Sequence, residues 1–213
     1  MSREIAYEPN RKHIYLITDE GDSVLKVNME NPDSYVGLED VLAGTIEVKV
    51  YNKDDLVGIK KIDNSQGRSE YFIYTLDGPV SPLPIVPLNL PSGYHVEALR
   101  VVDNKRFLVV ANRRLDNDNK AGHSSDMLFM LYNLKLEREF VSGDFPISNK
   151  FGRSNVIEVM TTLQGFPLIM VSRGPTIYIL AIESETKLKQ IDSITFSEAD
   201  GADGKQQPNN QLL

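Results

Sequence analysis

Short apolar stretches rich in Val, Ile, Tyr and Thr alternate along the chain with clusters of Asp, Asn, Gly and Pro. Apolar runs of this length, bounded by turn-forming residues, are typical of β-strands. Apolar residues rarely recur at the 3.6-residue period of a helix, and the best helical candidate, residues 133–141, is interpreted as a strand end followed by a turn. The pattern therefore predicts an all-β fold.

The predicted strands fall into four groups of four, at residues 4–42, 45–90, 95–146 and 155–196. Their bounds are 4–7, 12–18, 23–29 and 35–42; 45–51, 55–62, 70–76 and 80–90; 95–102, 106–112, 127–134 and 139–146; and 155–161, 167–172, 176–182 and 190–196. The last three groups each open with an acidic residue between apolar ones, at Glu47, Glu97 and Glu158. A tight turn and a denser apolar strand follow each time, so the groups are interpreted as a repeat.

Four-stranded units that recur every roughly 40–60 residues are typical of a β-propeller. One four-stranded blade cannot bury both of its faces, whereas blades stacked around an axis bury them against each other. We expect a propeller or partial propeller of about four antiparallel blades over residues 4–196; a β-sandwich or two small β domains is the alternative. Residues 197–213 are polar and are predicted to form a disordered tail or a linker.

The repeat over residues 4–196 resembles a divergent WD40-like propeller of the kind found in large multi-propeller scaffold proteins. The Gly-His and Trp-Asp signatures of regular WD40 repeats are absent, so their hydrogen-bond network is not implied here. The opening segments 5–10 and 13–17 are also similar to lactonase-type propellers. Because seven blades are more usual in the WD40-like group, four imply part of a ring. Its end blades would expose apolar faces until a second polypeptide, or a further part of the same gene product, covered them.

Composition narrows the classes of function. The chain has no cysteine, which excludes disulfides, thiolate metal sites and a cysteine nucleophile. Its net charge of −7 disfavours general binding to phosphate backbones. We expect an intracellular protein, in the cytoplasm or nucleus, because the start does not resemble a signal peptide, no apolar stretch is long enough to span a bilayer, and no N-glycosylation sequon occurs.

Catalytic and cofactor motifs do not stand out. Phosphate-binding and dinucleotide-binding loops and a nucleophile elbow are absent, and the histidines His13, His95 and His123 lack metal-ligand spacing. Residues 116–119 begin like a calcium-binding loop, but the later ligand positions do not fit. The sequence predicts no catalytic residue, no metal site and no cofactor. Whether the chain is an enzyme is left undecided, with a non-catalytic role favoured.

Two sets of polar residues are candidates for binding. The first is the long loop at residues 113–126, whose arginines on an acidic chain suit an acidic partner; a solvated insertion is the alternative. Its candidate docking residues are Arg113, Arg114, Asp116, Asn117, Asp118, Lys120 and His123. The second set is Glu47, Glu97 and Glu158, predicted to face a central channel, where they could bind a cation or a basic peptide. Their alternative is pairing with neighbouring Lys or Arg.

The sequence favours a non-catalytic protein–protein interaction scaffold, as a propeller segment within a larger intracellular complex. Its expected partners are other protein subunits, including one that completes the propeller. The alternatives are a metal-dependent hydrolase of the lactonase type, which needs carboxylates around a divalent ion, and a nucleic-acid-binding module that uses the basic segment 100–114.

Overall fold

A computed structural model of the chain consists of antiparallel β-sheets. It describes residues 4–7, 13–17, 24–37, 43–52, 55–65, 67–76, 85–114, 123–142, 145–149, 156–173, 176–184 and 187–196. All regular elements within these ranges are strands, numbered β1 to β17 in chain order. The prediction of an all-β fold is confirmed.

The strands form four sheets, and in each sheet the first four strands lie side by side in chain order. The first sheet contains β1 (Glu4–Tyr7), β2 (His13–Ile17), β3 (Val24–Asn28) and β4 (Tyr35–Gly37). The second contains β5 (Thr45–Asn52), β6 (Asp55–Asp63), β7 (Ser69–Leu76) and β8 (Ile85–Pro87). The third contains β9 (Tyr94–Asp103), β10 (Arg106–Arg114), β11 (His123–Asn133), β12 (Arg138–Val141) and an added β13 (Phe145–Asn149). The fourth contains β14 (Val156–Thr161), β15 (Pro167–Arg173), β16 (Thr176–Ser184) and β17 (Lys187–Thr195).

Tight turns stabilised by short polar side chains connect the strands. Oδ1 of Asn133 accepts hydrogen bonds from the backbone N–H groups of Lys135 and Glu137, at 2.9 and 3.0 Å. Oδ1 of Asp103 accepts one from Lys105 at 2.8 Å. Asp and Asn stabilise turns in this way because their side chains reach backbone groups two to four residues ahead. The Asp, Asn and Gly clusters of the sequence therefore mark the ends of strands.

The four sheets are arranged in series through their first strands. β1 contacts β5, β5 contacts β9, and β9 contacts β14. Each first strand is therefore the inner strand of a blade, and the arrangement is propeller-like. The series is not closed into a ring, because in the described residues no comparable contact joins β1 to β14.

Apolar side chains fill the space between neighbouring sheets. Tyr15 and Leu56 belong to the cluster between the first and second sheets. Phe107 belongs to the cluster between the second and third, and Phe129 and Ile169 to the one between the third and fourth. Within the described part of the chain, the second and third sheets are thus covered on both faces, whereas the first and fourth are each covered on one.

The third sheet differs from the prediction in two elements. Residues 139–146 were predicted as one strand, but residues 139–141 belong to β12 and residues 145–146 to β13, and these two strands pair with different parts of β11. β11 is 11 residues long and begins at His123 rather than at residue 127. At about 3.3 Å per residue it is long enough for two short strands to pair along it. The tail at residues 197–213 lies outside the described residues.

Candidate functional site

Glu47, on β5, connects the second sheet to the third. Its Oε2 accepts a hydrogen bond of 2.7 Å from the backbone N–H of Leu99 on β9. Its Oε1 lies 3.1 Å from Nη1 of Arg100 and 3.6 Å from Nζ of Lys49. Only 12% of the Glu47 side chain is exposed. A largely buried carboxylate with a backbone donor and two nearby cations makes a strong, charge-assisted contact between two inner strands.

Arg100 extends this contact to the fourth sheet. Its Nε donates a hydrogen bond of 2.7 Å to the carbonyl oxygen of Ile157 on β14. The same Nε lies 3.7 Å from Oε2 of Glu158, and Nη1 also donates to the carbonyl oxygen of Leu99. The guanidinium offers five donors in a rigid plane. One side chain therefore contacts the inner strands of three consecutive sheets.

The three glutamates identified in the sequence have different surroundings. Glu47 lies between two sheets, Glu97 accepts a hydrogen bond of 2.7 Å from Nδ2 of Asn112 in its own sheet, and the side chain of Glu158 is 57% exposed. The carboxylates of Glu47 and Glu158 both lie close to the guanidinium of Arg100. Among the described residues, no three His, Cys, Asp or Glu side chains form a group that could hold a metal ion. That the three carboxylates face a channel stays a prediction.

The candidate docking loop is described only at its ends. β10 and β11 pair as far as Arg114, and the backbone of His123 pairs with β13. Cζ of Arg113 lies 5.3 Å from the centroid of the Tyr94 ring, which is a cation–π contact. The other candidate residues lie in residues 115–122, outside the described ranges: Asp116, Asn117, Asp118 and Lys120. Their role in docking stays a prediction.

A second polar contact joins the third and fourth sheets near the turn after β9. Nε and Nη2 of Arg106 donate to Oδ2 of Asp103 at 2.9 and 2.7 Å, and Nη2 also donates to the carbonyl oxygen of Gly165 at 2.8 Å. Burial raises the pKa of Asp103, but hydrogen bonds from Arg106 and Lys105 and the charge of Arg106 together outweigh it and lower the pKa below its usual value. The ionised carboxylate therefore orients Arg106 toward the fourth sheet.

A buried tyrosine determines the packing between the first and second sheets. The Tyr74 hydroxyl lies 3.0 Å from Oγ1 of Thr45, and both residues are buried. Burial raises the pKa of Tyr74 well above its usual value, although the hydrogen bond with Thr45 lowers it. Gly58 lies against the same ring, and a Cβ at that position would overlap it. The close approach therefore requires a glycine on β6.

The fourth sheet has a mainly apolar face, with charged residues at its first and last strands, that no described strand covers extensively. Ile157, Ile169, Val171 and Leu180 pack toward the third sheet. Successive side chains of a strand point to opposite sides of the sheet. The alternate residues of these strands, and the residues that pair with them on neighbouring strands, therefore lie on the other side. We call this side the sheet-4 face: Val156, Glu158, Met160, Leu168, Met170, Ser172, Ile177, Ile179, Ala181, Lys189, Asp192 and Ile194. Val156, Met160 and Ile194 are 58%, 54% and 47% exposed.

The first sheet has a similar face at the other end of the series. Tyr15, Ile17 and Val24 pack toward the second sheet, so the alternating residues point away from it. We call this side the sheet-1 face, formed by the paired residues Ile14, Leu16, Leu25, Val27 and Tyr35. Tyr35 is 63% exposed. The described side chains of this face are four aliphatic chains and one tyrosine, and none of them is charged.

Sequence reasoning predicted uncovered end blades but did not identify the residues of their faces. The available signal was the lack of alternation in the fourth group, where residues 168–171 and 177–182 are continuously apolar. Such runs are typical of strands that are buried on both sides. A second covering layer for the fourth sheet could therefore have been predicted at these positions.

Comparison of the chain with protein-family models and with curated proteins finds no match. Within the described ranges, none of the elements is a helix with the length and apolar character needed to cross a membrane.

Proposed function

We propose that the chain is a non-catalytic protein–protein interaction scaffold, a divergent WD40-like propeller segment within a larger intracellular complex. Its partners are protein subunits, including one that completes the propeller. The observation that carries the proposal is that no described strand extensively covers the mainly apolar sheet-4 and sheet-1 faces, which lie at the ends of a series whose internal faces are covered. Contiguous apolar surfaces of this kind mark interaction sites in soluble proteins.

The polar contacts between inner strands support the same function. Glu47, Arg100 and Arg106 join successive sheets through bonds of 2.7 to 3.1 Å. They hold the blades in fixed relative positions, so a partner that docks on an end face has little backbone to order. A preorganised surface binds with a smaller entropic cost than a flexible one.

Native affinity purification of the tagged full-length chain tests the proposal. The double variant Leu16→Glu/Met170→Glu places one charge on each uncovered face. Leu163→Glu is the matched control, because Leu163 lies in the β14–β15 turn, fully exposed. Proteins retained by the wild type and by the control, including any untagged copy of the chain, are expected to be lost from the double variant.

If all three baits retain the same proteins, the end faces are not the contact surfaces and the proposal is wrong. Metal analysis and a lactone-hydrolysis assay on the wild type address the enzymatic alternative. A stoichiometric divalent metal together with turnover would replace the scaffold proposal with the lactonase-type one. Binding to nucleic acid that weakens steeply with salt would favour the nucleic-acid alternative.

The loop between β10 and β11 is proposed as a second contact surface. Arg113 and Arg114 supply positive charge at its start on a chain with a net charge of −7, which suits an acidic partner. Deletion of residues 115–122 is expected to weaken binding of that partner and to leave the thermal midpoint nearly unchanged, because paired strands flank the deletion. A large fall in the midpoint, measured by circular dichroism, would show that the loop is structural.

A further inference from the structure

The three interfaces inside the chain follow one rule. We call the face that points toward the next sheet in chain order the following face of a sheet, and the face on its other side the preceding face. At each of the three interfaces, the following face of one sheet packs against the preceding face of the next. The second strands of both sheets contribute to each of the three clusters, as β10 and β15 do through Leu108 and Ile169. The sheet-4 face is a following face and the sheet-1 face is a preceding face, and no described strand covers either of them extensively. A following face and a preceding face are the two surfaces that pack together at each interface inside the chain.

A polar side chain on the following face reaches the next inner strand in two of these interfaces. Glu47 accepts a hydrogen bond from the N–H of Leu99, and Arg100 donates one to the carbonyl oxygen of Ile157. Each bond joins a side chain to a backbone group of the following blade. An inner strand has only one neighbour within its own sheet, so its other edge is open to such contacts.

Glu158 occupies the corresponding place in the fourth sheet. Glu47 pairs with Ile59 on the second strand of its sheet, and Glu158 pairs with Met170 on the second strand of its own. Both glutamates belong to a following face. Glu47 is 12% exposed beneath the third sheet, whereas Glu158 is 57% exposed. Oε2 of Glu158 lies 3.7 Å from Nε of Arg100, and the exposed part of the same carboxylate is placed to accept a hydrogen bond from the inner strand of one further blade.

On the basis of the proposed function, we propose that the further blade is the first sheet of a second copy of this chain. The sheet-4 face of one copy docks on the sheet-1 face of the other, and Glu158 accepts a hydrogen bond from a backbone N–H of the partner's β1. The sheet-1 face is a preceding face, as docking on a following face requires, and its described side chains are apolar and uncharged. The chain's own segment 197–213 is too polar to cover an apolar face.

In an assembly of two copies, the sheet-4 face and the sheet-1 face of each copy can both be covered by the other copy. The contact joins different surfaces of the two copies, so it must close into a ring or continue into a filament. Two four-sheet chains give eight sheets, which lies within the range of about four to eight blades known for closed propellers. A two-fold axis along the channel then repeats the same contact twice and leaves no face uncovered. The proposed assembly is therefore a closed dimer.

Light scattering of the purified full-length chain across a concentration series tests the assembly. The expected mass is twice the 23.9 kDa of the chain. Met170→Glu is expected to give a monomer, and Leu163→Glu, with the same added charge on an exposed turn, is expected to remain a dimer. Glu158→Ala is expected to weaken the dimer roughly tenfold or more, because a hydrogen bond to a charged acceptor is lost. Circular dichroism verifies that each variant is folded.

Cross-linking identifies the faces in contact, and the absence of cysteine in the chain makes the experiment selective. Met170 on β15 and Leu16 on β2 lie on the second strands of the two faces. We expect a short bis-maleimide to join Met170→Cys to Leu16→Cys after the two variants are mixed. Neither variant alone is expected to cross-link, and Met170→Cys with Leu163→Cys is the control pair.

Three results would overturn the second-copy proposal. These are a monomer at every concentration, cross-linking of Met170→Cys with itself, and a dimer that Met170→Glu leaves intact. A monomer of residues 1–213 that becomes a dimer when cut to residues 1–196 would show that the chain's own tail covers the face. In each case the scaffold proposal still stands if the end-face variant loses partners in affinity purification. It falls only if that purification is also unaffected.

Discussion

The middle and terminal sheets differ in how their faces are covered. In the third sheet, all five residues from Phe107 to Ala111 are at most 1% exposed. In the corresponding strand of the fourth sheet, β15, Ile169 and Val171 are fully buried, whereas Leu168 and Met170, on the other side, are partly exposed. Exposure is therefore determined by the position of a sheet in the series, because burial requires a neighbour on each side.

The largest expected effect is the loss of an aromatic side chain from a middle sheet. Phe107 is fully buried, and its ring centroid lies 4.9 Å from that of Tyr51 in an edge-to-face contact. Phe107→Ala is expected to reduce the free energy of unfolding by about 3–5 kcal/mol through lost burial and a cavity. Phe166→Ala, in a terminal sheet and 64% exposed, is expected to change it by less than about 0.5 kcal/mol. Urea denaturation measures both, and equal effects would contradict the comparison.

The next effect concerns the polar contact between middle sheets. Glu47→Gln removes the charge that faces Arg100 and weakens the bond to the N–H of Leu99. We expect a loss of about 1.5–3 kcal/mol in the free energy of unfolding. Glu70→Gln, at an exposed position on β7, is the matched control and is expected to have almost no effect. A Glu47 variant as stable as its control would show that this contact does not hold the second and third sheets together.

Substitutions at two glycines distinguish the stability cost of a steric overlap from the cost of a strained backbone conformation. Gly58→Ala forces a methyl group into the buried Tyr74 ring and is expected to cost about 1–3 kcal/mol. Gly165→Ala, in the exposed turn of the fourth sheet, has free space but a φ of +82°, and its expected cost is about 1 kcal/mol from backbone strain. Chemical denaturation of both variants gives the comparison. A larger loss at Gly165 would show that backbone strain outweighs packing here.

The smallest expected effect is the pH dependence at the edge of the interface between the third and fourth sheets. The pKa of Asp103 is lowered in the folded chain, so its contribution to stability is present above the unfolded value of about 3.9 and is lost as the pH falls through the folded pKa. Asp103→Asn is expected to be less stable by under about 1 kcal/mol at pH 7. The difference should shrink below about pH 4. Urea midpoints between pH 2.5 and 7 test this, and a pH-independent difference would contradict it.

Most of the fold could be predicted from the chain, but some pairing could not. Turn residues such as Asn133 and Asp103 mark strand ends locally, so all four groups of strands were predicted. Ser142, Gly143 and Asp144 are turn-forming residues that separate β12 from β13 in the sequence, but nothing within the segment indicates which part of β11 each strand pairs with. Strand pairing is a long-range property, because the partner lies far away in sequence.

The candidate site shows the same limit more clearly. The sequence presents Glu47, Glu97 and Glu158 as equivalents, each following an apolar residue in the first strand of its group. In the structure one contacts the next sheet, one is bonded within its own sheet, and one is largely exposed. Their environments depend on the bulges in β5 and β9 and on whether another sheet follows.

By itself, the sequence determined the strand-forming segments, their turns and their fourfold repetition, because these depend on side chains close together in the chain. Only the tertiary structure decided which face of each strand meets another sheet and that Arg100 contacts three blades. It also showed which apolar residues at the two ends are not covered by the described strands. The physical reason is that propensity is local, whereas burial requires surfaces brought together from distant parts of the chain or from another chain.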